Sequence, residues 1–247
     1  MSQPAGRLAG DTLSDRVVLV TGATGVLGHV VVARFAESGA RVGLAGTRVG
    51  RLKDEARELG LADDRWVAAA GDLLRPADAR AIAATVAQRF GRIDILVHLV
   101  GGWAGGTPVV DLDRAELTGM LHQHVWTTLN IVQATVPAMV EAGWGRVVAI
   151  MARSGLEASP KVASYAIAKA AEDTLLRTLA HELAGTGVTA NLVTVGTIDE
   201  EHERKSAPTP RNATWTTPEE IAAAIAYLCS DDAAAISGTR LALDRKT

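Results

Sequence analysis

Short apolar runs, each followed by a longer stretch of helical period, recur along almost the whole chain. This ordering constrains the fold more than any single residue does. A strand wetted on one face alternates apolar and polar side chains, whereas a strand covered on both faces is apolar throughout. The runs at Val17–Val20, Val42–Ala45, Trp66–Ala70, Ile93–Val97, Val147–Met151, Thr189–Val195 and Arg240–Leu243 read as strands, mostly of the covered kind. Between them, helical period covers Val26–Ser38, Arg51–Leu59, Pro76–Phe90, about Arg114–Ala142, Ser164–Leu183 and Pro218–Leu228. Pro76 opens one helix and Gly91 follows its end, the usual asymmetry of helix termini. Strands joined through helices pair in parallel, and right-handed crossovers leave few topologies. The expected fold is α/β: a Rossmann-type, doubly wound parallel sheet of about seven strands with helices on both faces.

A chain of 247 residues suits one such unit. Residues 1–11 are expected to be a loose tail and 12–247 a single domain. The stretch Ile198–Thr216 lacks periodicity and carries Asp199, Glu200, Glu201, Glu203, Pro208 and Pro210, so a lid over the substrate is expected near 197–216. Apolar residues form 48% of the chain and charged residues 21%, which argues against disorder. A net charge of −3 without a long basic run points away from nucleic acid and anionic membranes as partners. The N-terminal residues show no signal-like stretch, and no apolar run is long enough to span a bilayer. Cys229 is the only cysteine, so no internal disulfide forms and a cytoplasmic location is expected. Its place at a helix end suggests a buried structural thiol.

The first strand runs into Thr21-Gly22-Ala23-Thr24-Gly25-Val26-Leu27-Gly28, and a helix opens there. Glycines in that context permit a tight turn and close approach of backbone to a pyrophosphate, which the helix N-terminus then attracts. Gly22, Thr24, Gly25, Val26, Leu27 and Gly28 are therefore candidate dinucleotide contacts. An acidic residue at the end of the second strand would bind the ribose hydroxyl of NAD, and a basic one the 2′-phosphate of NADP. Here stand Thr47 and Arg48 with no acid, which favours NADP over NAD; otherwise Arg48 is a solvated surface charge. Asp72, followed by Leu73, stands where it could bond the adenine amine or cap the next helix.

Tyr165 and Lys169 lie four residues apart on a helix and share a face. A tyrosine with a pKa near ~10 transfers protons poorly at neutral pH. A neighbouring ammonium is expected to favour the phenolate and lower that pKa.

Taken with Gly145–Ile150, Pro137, Asn191 and Gly196-Thr197, these residues make the chain resemble the single-domain branch of the short-chain dehydrogenase/reductase family, from about Asp15 to Leu243. The resemblance implies Tyr165 as general acid/base, Lys169 as its activator and ribose ligand, and Thr197 as a carboxamide contact. It also implies Val100, Gly101 and Gly196 at the cofactor, no metal, and a homotetramer or homodimer associating through the helices near 114–142 and 164–183.

Several positions depart from the family pattern. The usual serine 13 positions before the tyrosine is Ala152, and the usual relay asparagine falls on His124. The family's Asn-Asn-Ala-Gly is His98-Leu99-Val100-Gly101, and its Pro-Gly is Val195-Gly196. The glycine loop has the spacing of the extended branch, and a Gly-Gly-Trp-Ala-Gly-Gly segment spans 101–106. The reading is an NAD(P)H-dependent reductase of a carbonyl or imine in a small, apolar or cyclic molecule, with Ser154 or His124 standing in for the missing groups. Trp103, Trp126, Met151, Leu156 and Trp215 are expected at the pocket edge. The alternatives are a non-redox enzyme of the same fold (dehydratase, epimerase or cyclase) and an inactive cofactor-binding member.

Overall fold

The structure is a computed structural model and describes residues 13–243; the tail expected at 1–11 lies outside them. In chain order the strands are β1 (Val17–Thr21), β2 (Arg41–Gly46), β3 (Trp66–Ala70), β4 (Ile95–His98), β5 (Gly145–Ala152), β6 (Val188–Val195) and β7 (Arg240–Ala242). The helices are α1 (Val26–Glu37), α2 (Val49–Glu58), α3 (Pro76–Phe90), α4 (Arg114–Leu121), α5 (Thr127–Ala142), α6 (Ala163–Glu182), α7 (Glu203–Ser206) and α8 (Pro218–Cys229). All seven strands are parallel, in the order β3-β2-β1-β4-β5-β6-β7. Strand order reverses between β1 and β4, and a crevice is expected outside the carboxyl ends of strands at such a point.

The continuous apolar strands are explained by two cores, one on each face of the sheet. Ile82, Ile131, Met139 and Leu176 bring α3, α5 and α6 onto one face. Val31, Phe35, Leu52 and Ile225 bring α1, α2 and α8 onto the other. Cys229 is buried at the end of α8, and burial pushes its thiol up, as a structural role requires.

Three segments differ from expectation. The fourth strand begins at Ile95 rather than Ile93, because Asp94 is spent on joining strands: its carboxylate accepts the Val17 N–H at 2.8 Å and its carbonyl accepts the Arg146 N–H at 3.0 Å. The long helix expected over 114–142 is interrupted by a π turn at His122–Trp126. There the Thr127 N–H bonds the His122 carbonyl, five residues back, and the hydroxyls of Thr127 and Thr128 bond the carbonyls of Gln123 and His124. The segment expected to be a structureless lid holds the short helix α7 and is closed at its base by a bridge between Ile198 and Thr216. Asp199 fixes it from beneath, accepting the N–H groups of Glu203 and Arg204 at 2.8 and 3.1 Å.

Candidate active site

A cleft of about 510 Å³ opens at the carboxyl ends of β1, β4, β5 and β6. One wall is the turn from β1 into α1. Gly22 has φ +71°, and a Cβ on Gly28 would lie 2.2 Å from the Gly22 carbonyl oxygen, so the turn tolerates no side chain there. No side chain caps α1 and no acid stands in its first turn. Val26, Leu27 and Gly28 line the cleft, and as the first residues of α1 their N–H groups have no intrahelical acceptors. This cradle fits the phosphates of a dinucleotide, whose negative charge it would attract.

Val100, Gly101, Gly196 and Thr197 line the same cleft, with Tyr165 and Lys169 opposite the glycine turn. Thr24, Thr47, Arg48 and Asp72 are exposed beyond it, at the ends of β1, β2 and β3. Arg48 occupies the N-cap position of α2. Asp72 does not cap α3; its carboxylate accepts the Leu74 N–H at 3.0 Å, while Arg75 holds the cap position. The Leu73 side chain is in the core and its carbonyl takes the Asn130 amide at 2.8 Å.

The polar centre of the cleft is built by α6, the π turn and β4. Lys169 Nζ donates to the Ile150 carbonyl and to Glu172 Oε2, each at 2.8 Å. Thr128 Oγ1 lies 3.2 Å from Glu172 Oε1, which shares the one hydroxyl proton with the nearer His124 carbonyl. His124, buried by the π turn, points Nδ1 at Glu172 Oε2 across 3.5 Å, an ion-pair distance long for a hydrogen bond. Its Nε2 lies 2.9 Å from the Gly102 carbonyl, and its ring meets Tyr165 edge-on at 5.5 Å. A Cβ on Gly101 would strike His124 Cε1 at 2.5 Å, so glycine there makes room for the imidazole. His98 Nδ1 pairs with Thr21 Oγ1 at 2.8 Å, while its buried Nε2 has no partner.

Burial sets the charges of this cluster. It lowers His98 to about 4, and Lys169 and His124 add to the effect against Glu172. Burial alone would raise Glu172, but the Lys169 ammonium, with His124 and His98 nearby, outweighs it and holds the carboxyl at about 2. Tyr165 is pushed up to about 12, by burial first and by the Glu172 charge second. The expected lowering of Tyr165 by Lys169 is therefore corrected: the ammonium is already spent on Glu172.

Other expectations divide. Ala152 does line the cleft, and His124 reaches Tyr165. Ser154 sits in the turn Arg153–Gly155 after β5 and is not among the lining residues. Of the five side chains expected at the pocket edge, only Trp103 is there. Met151 points into the core, because strand alternation sends Ile150 and Ala152 to the cleft instead. Trp126, Leu156 and Trp215 lie outside the lining. Sequence reasoning missed Glu172. Its signal was a lone acid on the inward stripe Ala168, Glu172, Leu176, Ala180 of α6, where apolar residues belong.

The short chain dehydrogenase family pattern matches residues 16–211. This chain belongs to that family. It is accordingly an NAD(P)-dependent oxidoreductase. It is 32% identical to the A-factor type gamma-butyrolactone 1'-reductase (1S-forming) of Streptomyces virginiae, covering 94% of this chain and 95% of that one. It is also 32% identical to (2S)-[(R)-hydroxy(phenyl)methyl]succinyl-CoA dehydrogenase subunit BbsC of Thauera aromatica, covering 92% of each. Among solved structures, a short chain dehydrogenase from Bacillus anthracis superposes with a TM-score of 0.83 at 29% identity, over 94% of this chain and 96% of that one. Among the described residues no helix is long and apolar enough to cross a membrane.

Proposed function

We propose that this member is an NADPH-preferring reductase of a carbonyl or imine in a small, apolar or cyclic molecule. The observation that carries the reading is the placement of Tyr165 and Lys169 at the edge of the cleft whose opposite wall is the glycine turn. Reduced nicotinamide, when bound, supplies the hydride. Gly22, Thr24, Gly25, Val26, Leu27 and Gly28 would cradle the pyrophosphate, and Thr47 and Arg48 the 2′-phosphate. Asp72, with the Leu73 backbone, would serve the adenine, and Val100, Gly101, Gly196 and Thr197 the nicotinamide half. Tyr165 gives its proton to the substrate oxygen or nitrogen. Lys169 bonds the ribose with the N–H that Ile150 and Glu172 leave over. His124, rather than Ser154, takes the place of the missing polar groups beside Tyr165.

An apolar substrate is supported by Trp103, Ile150, Ala152 and Ile198, which face the cleft where the family pattern would place a hydroxyl at 152. The exposed apolar side chains of Trp126 and Ile167 support a homodimer or homotetramer through the α4–α5 and α6 region. The lone buried Cys229 suits a cytoplasmic location.

The test is NADPH oxidation against a panel of cyclic and apolar ketones and imines. Tyr165→Phe should lower turnover at least about 10²-fold, the scale of acid–base catalysis. Unchanged turnover removes Tyr165 from the chemistry. Product formed without cofactor oxidation would select a non-redox reaction on the same residues.

A further inference from the structure

Glu172 is 1% exposed, and nothing in the chemistry above uses it. Its carboxylate joins three elements: Lys169 on its own helix, Thr128 on α5 and His124 in the π turn. Packing does not explain it. An ionised carboxylate held away from water is costly unless paired, and a leucine would complete the stripe from Ala168 to Leu176 without that cost. What a carboxylate does and a leucine cannot is set charge. Lys169 has three N–H bonds; one is held by the Ile150 carbonyl and another by Glu172. An ammonium paired at 2.8 Å presents little net charge to a neighbouring phenol.

We propose that Glu172 is a positioning residue of this site: it pins Lys169 and cancels the ammonium charge, leaving Tyr165 to act as a proton donor to substrate rather than as a base. The inference rests on the reductase reading and adds a direction to it. In that direction the Tyr165 O–H bond breaks, its proton goes to the oxygen or nitrogen of the C=O or C=N group as hydride reaches the carbon, and the phenolate regains a proton from solvent. A developing alkoxide is a stronger base than a phenolate, so a tyrosine that stays protonated is the right donor. The reverse reaction needs tyrosinate, and the Glu172 charge opposes it. Burial and Glu172 together agree with this assignment, since both raise Tyr165. The ionisable groups facing Glu172 are His98 on β4, His124 in the π turn, and Lys169 and Tyr165 on α6. Asp173 turns away to Arg240 and Arg177.

The chain has two tyrosines, and Tyr227 lies exposed on α8, outside the cleft. Tyr227→Phe therefore makes Tyr165 the sole source of tyrosinate absorbance. Stopped-flow pH jumps read that absorbance in the folded protein before alkaline unfolding. With Glu172 in place, no tyrosinate should form below about pH 11, because burial and a like charge both oppose ionisation. In the Tyr227→Phe/Glu172→Gln protein the midpoint should fall by about half a pH unit, because the like charge of the carboxylate is gone while burial remains. A packing role for Glu172 would change stability and leave the midpoint where it was. An unmoved midpoint overturns the proposal. If the double variant does not fold, the Tyr227→Phe protein alone decides: ionisation at or below about pH 10, the ordinary tyrosine value, overturns it. The titration uses neither substrate nor cofactor, so its outcome is separate from that of the Tyr165→Phe turnover test.

Discussion

Replacing His98 by Asn should remove part of the protein's acid sensitivity while leaving its behaviour at neutral pH intact. His98 is buried at the end of β4, bonded to Thr21 through Nδ1, and lowered to about 4 by burial. In the unfolded chain the same imidazole titrates at its ordinary value of 6.5. A group whose pKa is depressed by folding supports the fold above its unfolded value and withdraws that support as pH falls toward the folded one. Above pH 7 both states carry neutral His98 and nothing is lost. With 1.36 kcal/mol for each unit between the two values, the loss is about 1 kcal/mol at pH 5.5 and about 2–3 kcal/mol at pH 4.5. Asparagine keeps a polar atom for Thr21 and does not titrate. The assay is urea unfolding of both proteins near pH 7.5, 5.5 and 4.5. Glu172 loses its support only as pH falls from 4.5 toward 2, below the conditions tested. The truncation itself carries a cost that does not depend on pH. The stability gap between wild type and variant should thus shift by about 2–3 kcal/mol toward the variant between the neutral and the most acid condition. A gap that stays constant across the three conditions refutes the argument that His98 is held neutral.

Two further substitutions test the cofactor side of the cleft. Gly28→Ala places a methyl 2.2 Å from the Gly22 carbonyl and 2.7 Å from the Ala23 backbone, so the turn must move. NADPH affinity measured by calorimetry should fall at least about 100-fold, near 3 kcal/mol, and a loss under threefold would show that the turn is not the phosphate cradle. Arg48→Ala should weaken NADPH by roughly 10–100-fold, the worth of a charged hydrogen bond, and leave NADH unchanged; equal loss for both would return Arg48 to a surface charge.

The fold was legible because its signal is repeated. Each strand had only to be apolar throughout: Leu96, Val147 and Leu192 face one core, and Ile95, Val148 and Val193 the other. The glycine turn and the Tyr165–Lys169 pair were legible because they depend on neighbours a few residues apart on one element. What escaped depends on pairs distant in sequence. Glu172 acquires its meaning from His124 and Thr128, more than forty residues earlier, which only the packing of α6 against α5 brings near. The π turn escaped because its defining bond, from the Thr127 N–H to the His122 carbonyl, shifts the helix by one residue and leaves no periodic mark in the sequence. Ser154 and Met151 were misplaced by a matter of one strand position: β5 turns Ile150 and Ala152 to the cleft and Met151 away, and the chain leaves the sheet before Ser154.

The departures at 98, 124 and 152 belong together with the buried Glu172. The family pattern puts neutral groups at those three positions, a hydroxyl and two amides, whose charge does not vary with pH. Here the hydroxyl is a methyl and both amides are imidazoles, with the Glu172 carboxylate beside His124. A buried ammonium without a partner is costly, and a buried carboxylate alone would not stay ionised. Each becomes tolerable only with the others: Glu172 offsets Lys169, His124 fills the room that Gly101 leaves, and His98 stays neutral against Thr21. A variant that restores one family residue, such as His124→Asn, therefore removes one partner of Glu172 and leaves its charge less well compensated. The replacements act as a unit, so stability and proton transfer should respond non-additively when they are reverted singly and in combination.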